Sequence, residues 1–368
     1  MSSINSYIVP TFNTEADEAA FFSGKGTCGL ANYGNTCFMN SVIQCLTQTF
    51  EFTKEIVSGN IVDNLKRDSE IKNDIEAIQR ELVRKWYQLQ RAIWNTKSSA
   101  LGPKSFHQII QILSMKLGRI EFVGHHQKDA PEFFEFLMEN IHMALCEEVD
   151  FKITGEPEHE FDKMALVAAK SWEKFFKNEY SIVIEQFYGQ YHSIICCPDC
   201  GYESVTYQPF LTLQVPVPST PDKVKIYDCF SLFNKTETLD IENQWKCEKC
   251  DDYRNATKKL SVWKTPDILT IHLKRFDKKT GKISTFVDAP LTKLSIKDYG
   301  YGYGCDDTLY NLYAVINHYG GTGGGHYTAF VKNYNKKWYC ANDDTVTEID
   351  ESKVISESSY MLFYRKIE

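Results

Sequence analysis

The chain reads as an α+β protein, helical in its first half and built on a mostly antiparallel sheet in its second. Two changes of texture predict this. Up to about residue 180, apolar side chains recur every three or four positions, the spacing that gives a helix one buried stripe. Beyond about 181 they alternate, or bunch with β-branched and aromatic neighbours between Gly and Pro turns, as strands do. Hydrophobic residues make up 43% of the 368 positions and aromatics 14%. That is enough for a sizeable core and excludes wholesale disorder.

Taken in order, residues 1 to about 25 show no sustained periodicity and read as an extension. A helix is expected from near Asn40 through SVIQCLTQTFEFTKEI. A longer one carries Ile71, Ile75, Ile78, Leu82, Trp86, Leu89 and Ile93 on one stripe. Phe106, Ile109, Ile110 and Leu113 repeat the pattern after Pro103. In DAPEFFEFLMENIHMAL, Asp129 suits an N-cap, Pro131 the first turn and Glu132 the capping-box position. A fifth helix is expected over about 161–177. The strands expected after it are QYHSII, ESVTYQ, LTLQVPV, KKLSVWK, DILTIHLKRF, YNLYAVINHY, GHYTAFVKNY, KKWYCA and SYMLFYRK, with a short helix near 227–233. No fixed-period repeat is present.

Charge and cysteine usage narrow the function classes. Lys plus Arg number 41 against 49 acids, a net charge of −8, the wrong sign for a chain whose main partner is nucleic acid. The start, MSSINSYIVPTFNTEADEAA, has neither a basic nor an apolar signal-like segment, and no run is long and apolar enough for a membrane span. The 12 cysteines are therefore expected in a reducing compartment, cytoplasmic or nuclear, where thiols are buried, metal-bound or catalytic. No membrane or nucleic-acid partner is expected.

Spacing sorts them. Cys197 and Cys200 form one C-x-x-C pair, Cys247 and Cys250 another. Each pair can set two thiolates on one tight knuckle, and two knuckles complete a tetrahedral site for Zn²⁺. The long intervening segment places the knuckles at the tips of two separate hairpins. Four thiolates leave no open position for a substrate, so the metal would be structural, contributing on the order of 10 kcal/mol to folding. A redox dithiol and cysteines paired by coincidence are the alternatives. Cys196 is adjacent but offset.

Cys37 stands just before a predicted helix, where backbone amides and the dipole favour an anion and lower a thiol pKa. Those amides, with the side chain of Asn32, can donate to a developing oxyanion. A buried structural thiol is the competing reading. His326 begins a strand behind Gly323, Gly324 and Gly325, and can serve as general base and acid. Asn342, Asp343 and Asp344 follow strand KKWYCA, where a third group could orient the imidazole. His318, with fewer flanking glycines, has the weaker claim.

The motifs together resemble the ubiquitin-specific protease family of deubiquitinases. They are GLANYGNTCFMNSVIQCL (29–46), HQKDAPEFFEFL (126–137), FYGQYHSIICCPDC (187–200), WKCEKC (245–250), DILTIHLKRF (267–276), YNLYAVINHYGGTGGGHYTAF (310–330) and YMLFYR (360–365). The resemblance implies a papain-like cysteine protease fold in the family's right-hand form. Residues 1–26 would be an N-terminal extension and 27–368 the catalytic domain. Within it, about 27–180 would be a helical thumb, about 187–262 zinc-tipped β fingers, and the remainder a β-rich palm. A thumb–palm cleft would hold the ubiquitin C-terminal tail.

The resemblance also implies roles. Cys37 would be the nucleophile, His326 the base, Asn342 the third triad member and Asn32 the oxyanion donor. Gln127, Asp129, Glu132, Phe276 and Tyr327 would contact the ubiquitin tail, whose arginine needs carboxylates and whose glycines pass a narrow slot. The family's usual Tyr after the nucleophile is Phe38 here, Lys128 replaces a frequent Gln, and Ala341 a common aromatic. Asn342 stands where Asp is frequent, which makes Asp343 an assisting candidate. The expected activity is thiol-dependent hydrolysis after the terminal glycine of ubiquitin. Expected partners are ubiquitin, ubiquitinated proteins and a separate regulatory or targeting subunit. A ubiquitin-holding pseudo-enzyme, a hydrolase for a ubiquitin-like modifier and a zinc-ribbon nucleic-acid protein are the rivals.

Overall fold

The computed structural model describes residues 10–59, 61, 65, 71, 73–124, 126–277, 281–321 and 324–367. Within these the chain forms two compact units, residues 1–146 with 313–354, and residues 147–312 with 355–368. Residues 1–9 of the expected extension, and Gly323, lie outside the described positions.

The first unit is built around the helix Cys37–Thr47, in which all eleven residues are buried. It lies against the strand Gly324–Lys332 and the helix Ala130–Leu145. Apolar spacing explains why the flanking helices Asp74–Asn95 and Lys104–Lys116 pack as they do. Leu82, Val83, Trp86, Leu89 and Ile93 are buried on one, Phe106, Ile109, Ile110 and Leu113 on the other. Ile71 does not join that stripe; it precedes the helix and is exposed. Beyond these, strands running from Leu309–Gly321 through Gly324–Lys332, Trp338–Asn342 and Thr345–Ile349 pair antiparallel.

The helices of the first unit differ from expectation in several places. The helix expected from near Asn40 starts at Cys37. It also stops at Thr47, and a second helix resumes over Phe50–Val57. Ser41, Thr47 and Thr49 hydroxyls bond back to carbonyls four residues earlier, a local competition that bends or ends helices. The segment without periodicity holds a helix over Glu15–Phe22, closed by a Thr14–Asp17 capping box. Eight residues are too few to show a period, yet Phe21 and Phe22 are buried with Phe50, Val57 and Trp94. Asp129 does occupy the N-cap of Ala130–Leu145, but its side chain makes no cap bond and Glu132 forms no capping box.

The second unit carries, besides three two-stranded ladders, two larger sets of paired strands. In one, Glu203–Phe210, Gly189–Cys196, Thr257–Lys264 and Glu237–Thr238 lie side by side, all antiparallel. In the other, Ile268–Lys274 pairs antiparallel with Ser359–Lys366 and parallel with Thr212–Pro216. The helix Glu160–Phe176 buries Ala168, Trp172 and Phe176. The short helix Ile226–Phe233 buries Ile226, Cys229 and Phe230. No described helix is long and apolar enough to cross a membrane.

Candidate active site and metal centre

The position of Cys37 is set by a ladder of side-chain amides on its own helix and at that helix's C-cap. Asn40 Nδ2 donates to Leu30 O at 3.1 Å, Gln44 Nε2 to Cys28 O at 2.8 Å, and Gln48 Nε2 to Gly26 O at 2.7 Å. Four helical residues rise about 6 Å and two extended residues about 6.6 Å. Amides at every fourth helical position therefore match carbonyls at every second extended one. The extended segment thus runs beside the helix before turning into the loop that delivers Cys37. Gly29 is required there, because a Cβ would lie 2.2 Å from Asp344 O.

The loop turns through Gly34 and Asn35, both at positive φ. Asn32 Oδ1 organises it by accepting from Gly34 N, Thr36 N and Thr36 Oγ1. Cys37 then opens the helix with its side chain buried. Burial raises its thiol pKa above the ordinary value. The Tyr327 amide opposes that shift, the Asp343 carboxylate adds to it, and the amides of Phe38 and Cys37 itself oppose it. The expected net lowering by the helix terminus is therefore overturned, because desolvation outweighs the amides. The ring of Phe38 is buried, edge-on to Phe133 and 6.4 Å from that of Phe122, so apolar packing occupies the place of a hydroxyl.

The Tyr327 amide that reaches Cys37 belongs to the residue after His326. His326 lies opposite Tyr319 in the sheet, half-buried, with Asn342 Oδ1 2.6 Å from its Nε2. An amide oxygen in that place accepts from Nε2–H and leaves Nδ1 as the ring's acceptor. Gly325 admits no side chain, since a Cβ would meet Tyr319 O at 2.1 Å and His318 Nε2 at 2.4 Å. His318 is buried behind that glycine, its ring 4.6 Å from that of Tyr327.

Asp343 does not take the imidazole. In a left-handed conformation, φ 49°, it accepts from Asn32 Nδ2 at 2.9 Å and Asn40 Nδ2 at 2.8 Å. Its backbone oxygen accepts from Leu30 N at 2.7 Å. It thus ties the turn after Asn342 to the loop before Cys37, and occupies one of Asn32's two amide hydrogens. Asn40, Gln44 and Gln48 were not singled out from sequence. Their signal was present as polar side chains spaced by four in a helix with no exposed face.

Of the expected tail contacts in the first unit, Tyr327 OH donates to Asp129 Oδ1 at 2.9 Å. This accounts for the missing cap bond. The Gln127 amide pairs in both directions with the Gly325 backbone, accepting from its N–H at 2.7 Å and donating to its oxygen. Glu132 is exposed and lines a cleft of about 390 Å³ with Arg119, Glu121, Glu135, Phe136 and Glu139. In the second unit, Phe276 is half-buried, edge-on to Tyr360 at 5.6 Å.

The second unit also gathers Cys197, Cys200, Cys247 and Cys250, whose sulfurs all lie within 4.8 Å of one another. Cys197 and Cys200 follow strand Gly189–Cys196. Cys247 and Cys250 sit at the turn between Trp245–Cys247 and Asp252–Arg254. The Cys197–Cys250 and Cys200–Cys247 sulfur separations are 3.9 and 3.6 Å. Tetrahedral thiolates on one Zn²⁺ at about 2.3 Å stand about 3.8 Å apart, so the four residues fit. The amides of Cys200 and Asp199 help hold the Cys197 thiol down to about 7, while hydrogen bonding to Cys200, Cys247 and Cys197 pushes Cys250 up to about 12. This cluster can hold a metal ion. Cys196 lies outside it, its Sγ 3.8 Å from Cys197 O.

Comparison with known proteins agrees with this arrangement. The profile described as ubiquitin carboxyl-terminal hydrolase matches residues 28–364. Ubiquitin carboxyl-terminal hydrolase 2 of Homo sapiens is 34% identical over 93% of this chain and 55% of that protein. Ubiquitin carboxyl-terminal hydrolase 21 of the same species is 33% identical over 93% of this chain and 62% of that protein. The chain thus spans little more than half the length of the curated relatives it matches. Among solved structures, the SAGA Ubp8/Sgf11/Sus1/Sgf73 deubiquitinase module bound to ubiquitin aldehyde aligns with a TM-score of 0.68. It is 25% identical, covering 94% of this chain and 70% of that one. The fold is the papain-like form of the ubiquitin-specific proteases, and the chain belongs to the ubiquitin carboxyl-terminal hydrolase family.

Proposed function

We propose that this chain is a cysteine deubiquitinase that hydrolyses the isopeptide or peptide bond after the C-terminal glycine of ubiquitin. The observation that carries this reading is the Asn342-held imidazole of His326, one residue from the amide that reaches Cys37 Sγ. Burial keeps the Cys37 thiol protonated at rest, so its proton passes to His326 Nδ1 as sulfur attacks the glycine carbonyl. The Cys37 N–H and the free amide hydrogen of Asn32 receive the oxyanion. The carbon–nitrogen bond then breaks, and imidazolium gives its proton to the departing lysine amine. A thioester remains on Cys37. Water, deprotonated by His326, adds to it and expels the thiol. Asp343 acts through Asn32 and Asn40.

Gln127, Asp129, Glu132, Phe276 and Tyr327 are proposed as contacts of the ubiquitin tail, with Glu132 and its acidic neighbours suited to an arginine. The cysteine cluster is proposed to hold a structural Zn²⁺, which would pin the two knuckles together and supply no chemistry. The extension at 1–26, the thumb, finger and palm divisions, and residence in cytoplasm or nucleus are proposed on the resemblance. A separate regulatory or targeting subunit is supported by the solved relatives, which are assemblies of Ubp8 with Sgf11, Sus1 and Sgf73. The test is cleavage of a ubiquitin–fluorophore conjugate beside covalent labelling by ubiquitin with an electrophilic C-terminus. Both are expected for the native chain and neither for Cys37→Ala. Labelling without cleavage on any conjugate would make it a ubiquitin-holding protein instead.

A further inference from the structure

Arg275 is fully buried, and no carboxylate in the described structure forms an ion pair with it. A buried cation with no carboxylate in contact is costly. Cys229 and Glu357 favour its charge only from a distance, so its immediate surroundings must solvate it by other means. Carbonyl oxygens from two separate segments do so. Nε donates to Ser359 O at 2.7 Å, and Nη1 donates to Ile283 O at 3.1 Å and Thr285 O at 2.7 Å. Nη2 has no partner among the described residues. Burial lowers the guanidinium pKa to about 10, which leaves it charged at neutral pH.

The same residue grips the same segment through its backbone, since Ile283 N donates to Arg275 O at 2.7 Å. Immediately beyond, Phe276 pairs with Lys282 and Asp277 with Gly281 in a short antiparallel ladder. Ser359, held by Nε, precedes Tyr360, the ring against which Phe276 packs. The guanidinium therefore fastens both the root of the hairpin that carries Phe276 and the neighbour that supports its ring. Lysine could not replace it. One ammonium on a flexible stem lacks the planar fork that reaches carbonyls on two sides at once.

We propose that Arg275 is a positioning residue for substrate recognition, fixing Phe276 so that it can meet the extended tail of ubiquitin. This rests on the reading of the chain as a deubiquitinase and of Phe276 as a tail contact. Arg275 touches neither Cys37 chemistry nor substrate; it acts through the hairpin. A residue that merely supported the fold would lower thermal stability and the active fraction without changing KM per folded molecule.

The experiment is a mutant cycle on the full chain with its metal. Arg275→Lys, Phe276→Ala and the double variant are assayed on a ubiquitin–fluorophore conjugate, with the folded fraction measured by circular dichroism. Arg275→Lys is expected to raise KM roughly tenfold with kcat nearly unchanged, within the range of coupling between contacting residues. The double variant should have the KM of Phe276→Ala alone. Independent multiplication of the two effects, or a fall in kcat at constant KM, would overturn the proposal. Should Arg275→Lys not fold, Ile283→Pro removes the amide that donates to Arg275 O and enters the same cycle. Hydrogen exchange over residues 281–285 should speed up in Arg275→Lys. If the native chain cleaves no conjugate, the deubiquitinase reading fails by itself, and unchanged exchange would separately reject the fastening role.

Discussion

Asn342 Oδ1 lies 2.6 Å from His326 Nε2, and the neighbouring Asp343 carboxylate faces away toward two asparagine amides. The two residues share one turn and divide two tasks. One fixes the imidazole; the other anchors the loop that brings in Cys37. Asn342→Ala is therefore expected to lower kcat/KM by roughly 10²-fold, the lower end of what a placed acid–base group contributes. Asn342→Asp should keep the ring oriented and most of the activity. Steady-state cleavage of a ubiquitin conjugate measures both.

Asp343 supplies two acceptors and a left-handed backbone. Asparagine tolerates that backbone but offers a single oxygen, so Asp343→Asn strands one of the amides of Asn32 and Asn40. Asn40 is buried and Asn32 exposed. A loss of up to about 1–3 kcal/mol is therefore expected, the upper part of that range applying when the buried Asn40 donor is the one left unsatisfied, with a parallel fall in kcat. Urea denaturation gives the first and turnover the second. Unchanged stability would show that the bridge carries no energy.

Burial raises the Cys37 pKa, which sets the sign of its pH dependence. The reactive thiolate is scarce below the folded pKa and accumulates only as pH rises through it. Alkylation of Cys37 by iodoacetamide in the free chain should climb steadily past pH 9. A plateau already reached near neutrality would mean that a resting ion pair outweighs desolvation.

The four-cysteine cluster, proposed to hold Zn²⁺, would without it leave four sulfurs within 4.8 Å of one another. Chelation, or Cys250→Ser, should release one Zn²⁺ per chain and lower the unfolding temperature. Exchange protection should be lost first over residues 189–264. Since no step of the proposed chemistry passes through the metal, cleavage should decline only as far as ubiquitin affinity does.

Gln44→Leu keeps volume but leaves Cys28 O without its donor. It should cost about 1–3 kcal/mol in thermal or chemical unfolding. An effect below 0.5 kcal/mol would remove the middle rung from the account of how Cys37 is placed.

Much of this was legible in the sequence, but unevenly. Long apolar stripes such as Leu82–Trp86–Leu89–Ile93 announced their helix, and the paired C-x-x-C spacing announced the cluster. Glu15–Phe22 did not, because its burial comes from Phe50, Val57 and Trp94, which are distant in sequence. The family motifs named residues but not the hydrogen bonds those residues make. Asp129 stands at the N-cap as expected, but its side chain holds Tyr327 and not a helix amide. Cys37 seemed acidified by its helix and is instead raised, because a linear motif shows the amides but not the water excluded around them.

The ladder joining Asn40, Gln44 and Gln48 to Leu30, Cys28 and Gly26 works as a length gauge. Two periodicities, four along the helix and two along the extended segment, are matched here, and a shift of one residue along the extended segment destroys every match. Residues 31–36 must then span a fixed gap, so their number is constrained as well as their identity. A single residue inserted there cannot be absorbed by sliding, since a one-step slip turns every carbonyl away from its amide. The loop before Cys37 should thus resist a change of length as strongly as it resists replacement of Asn32 or Gly34.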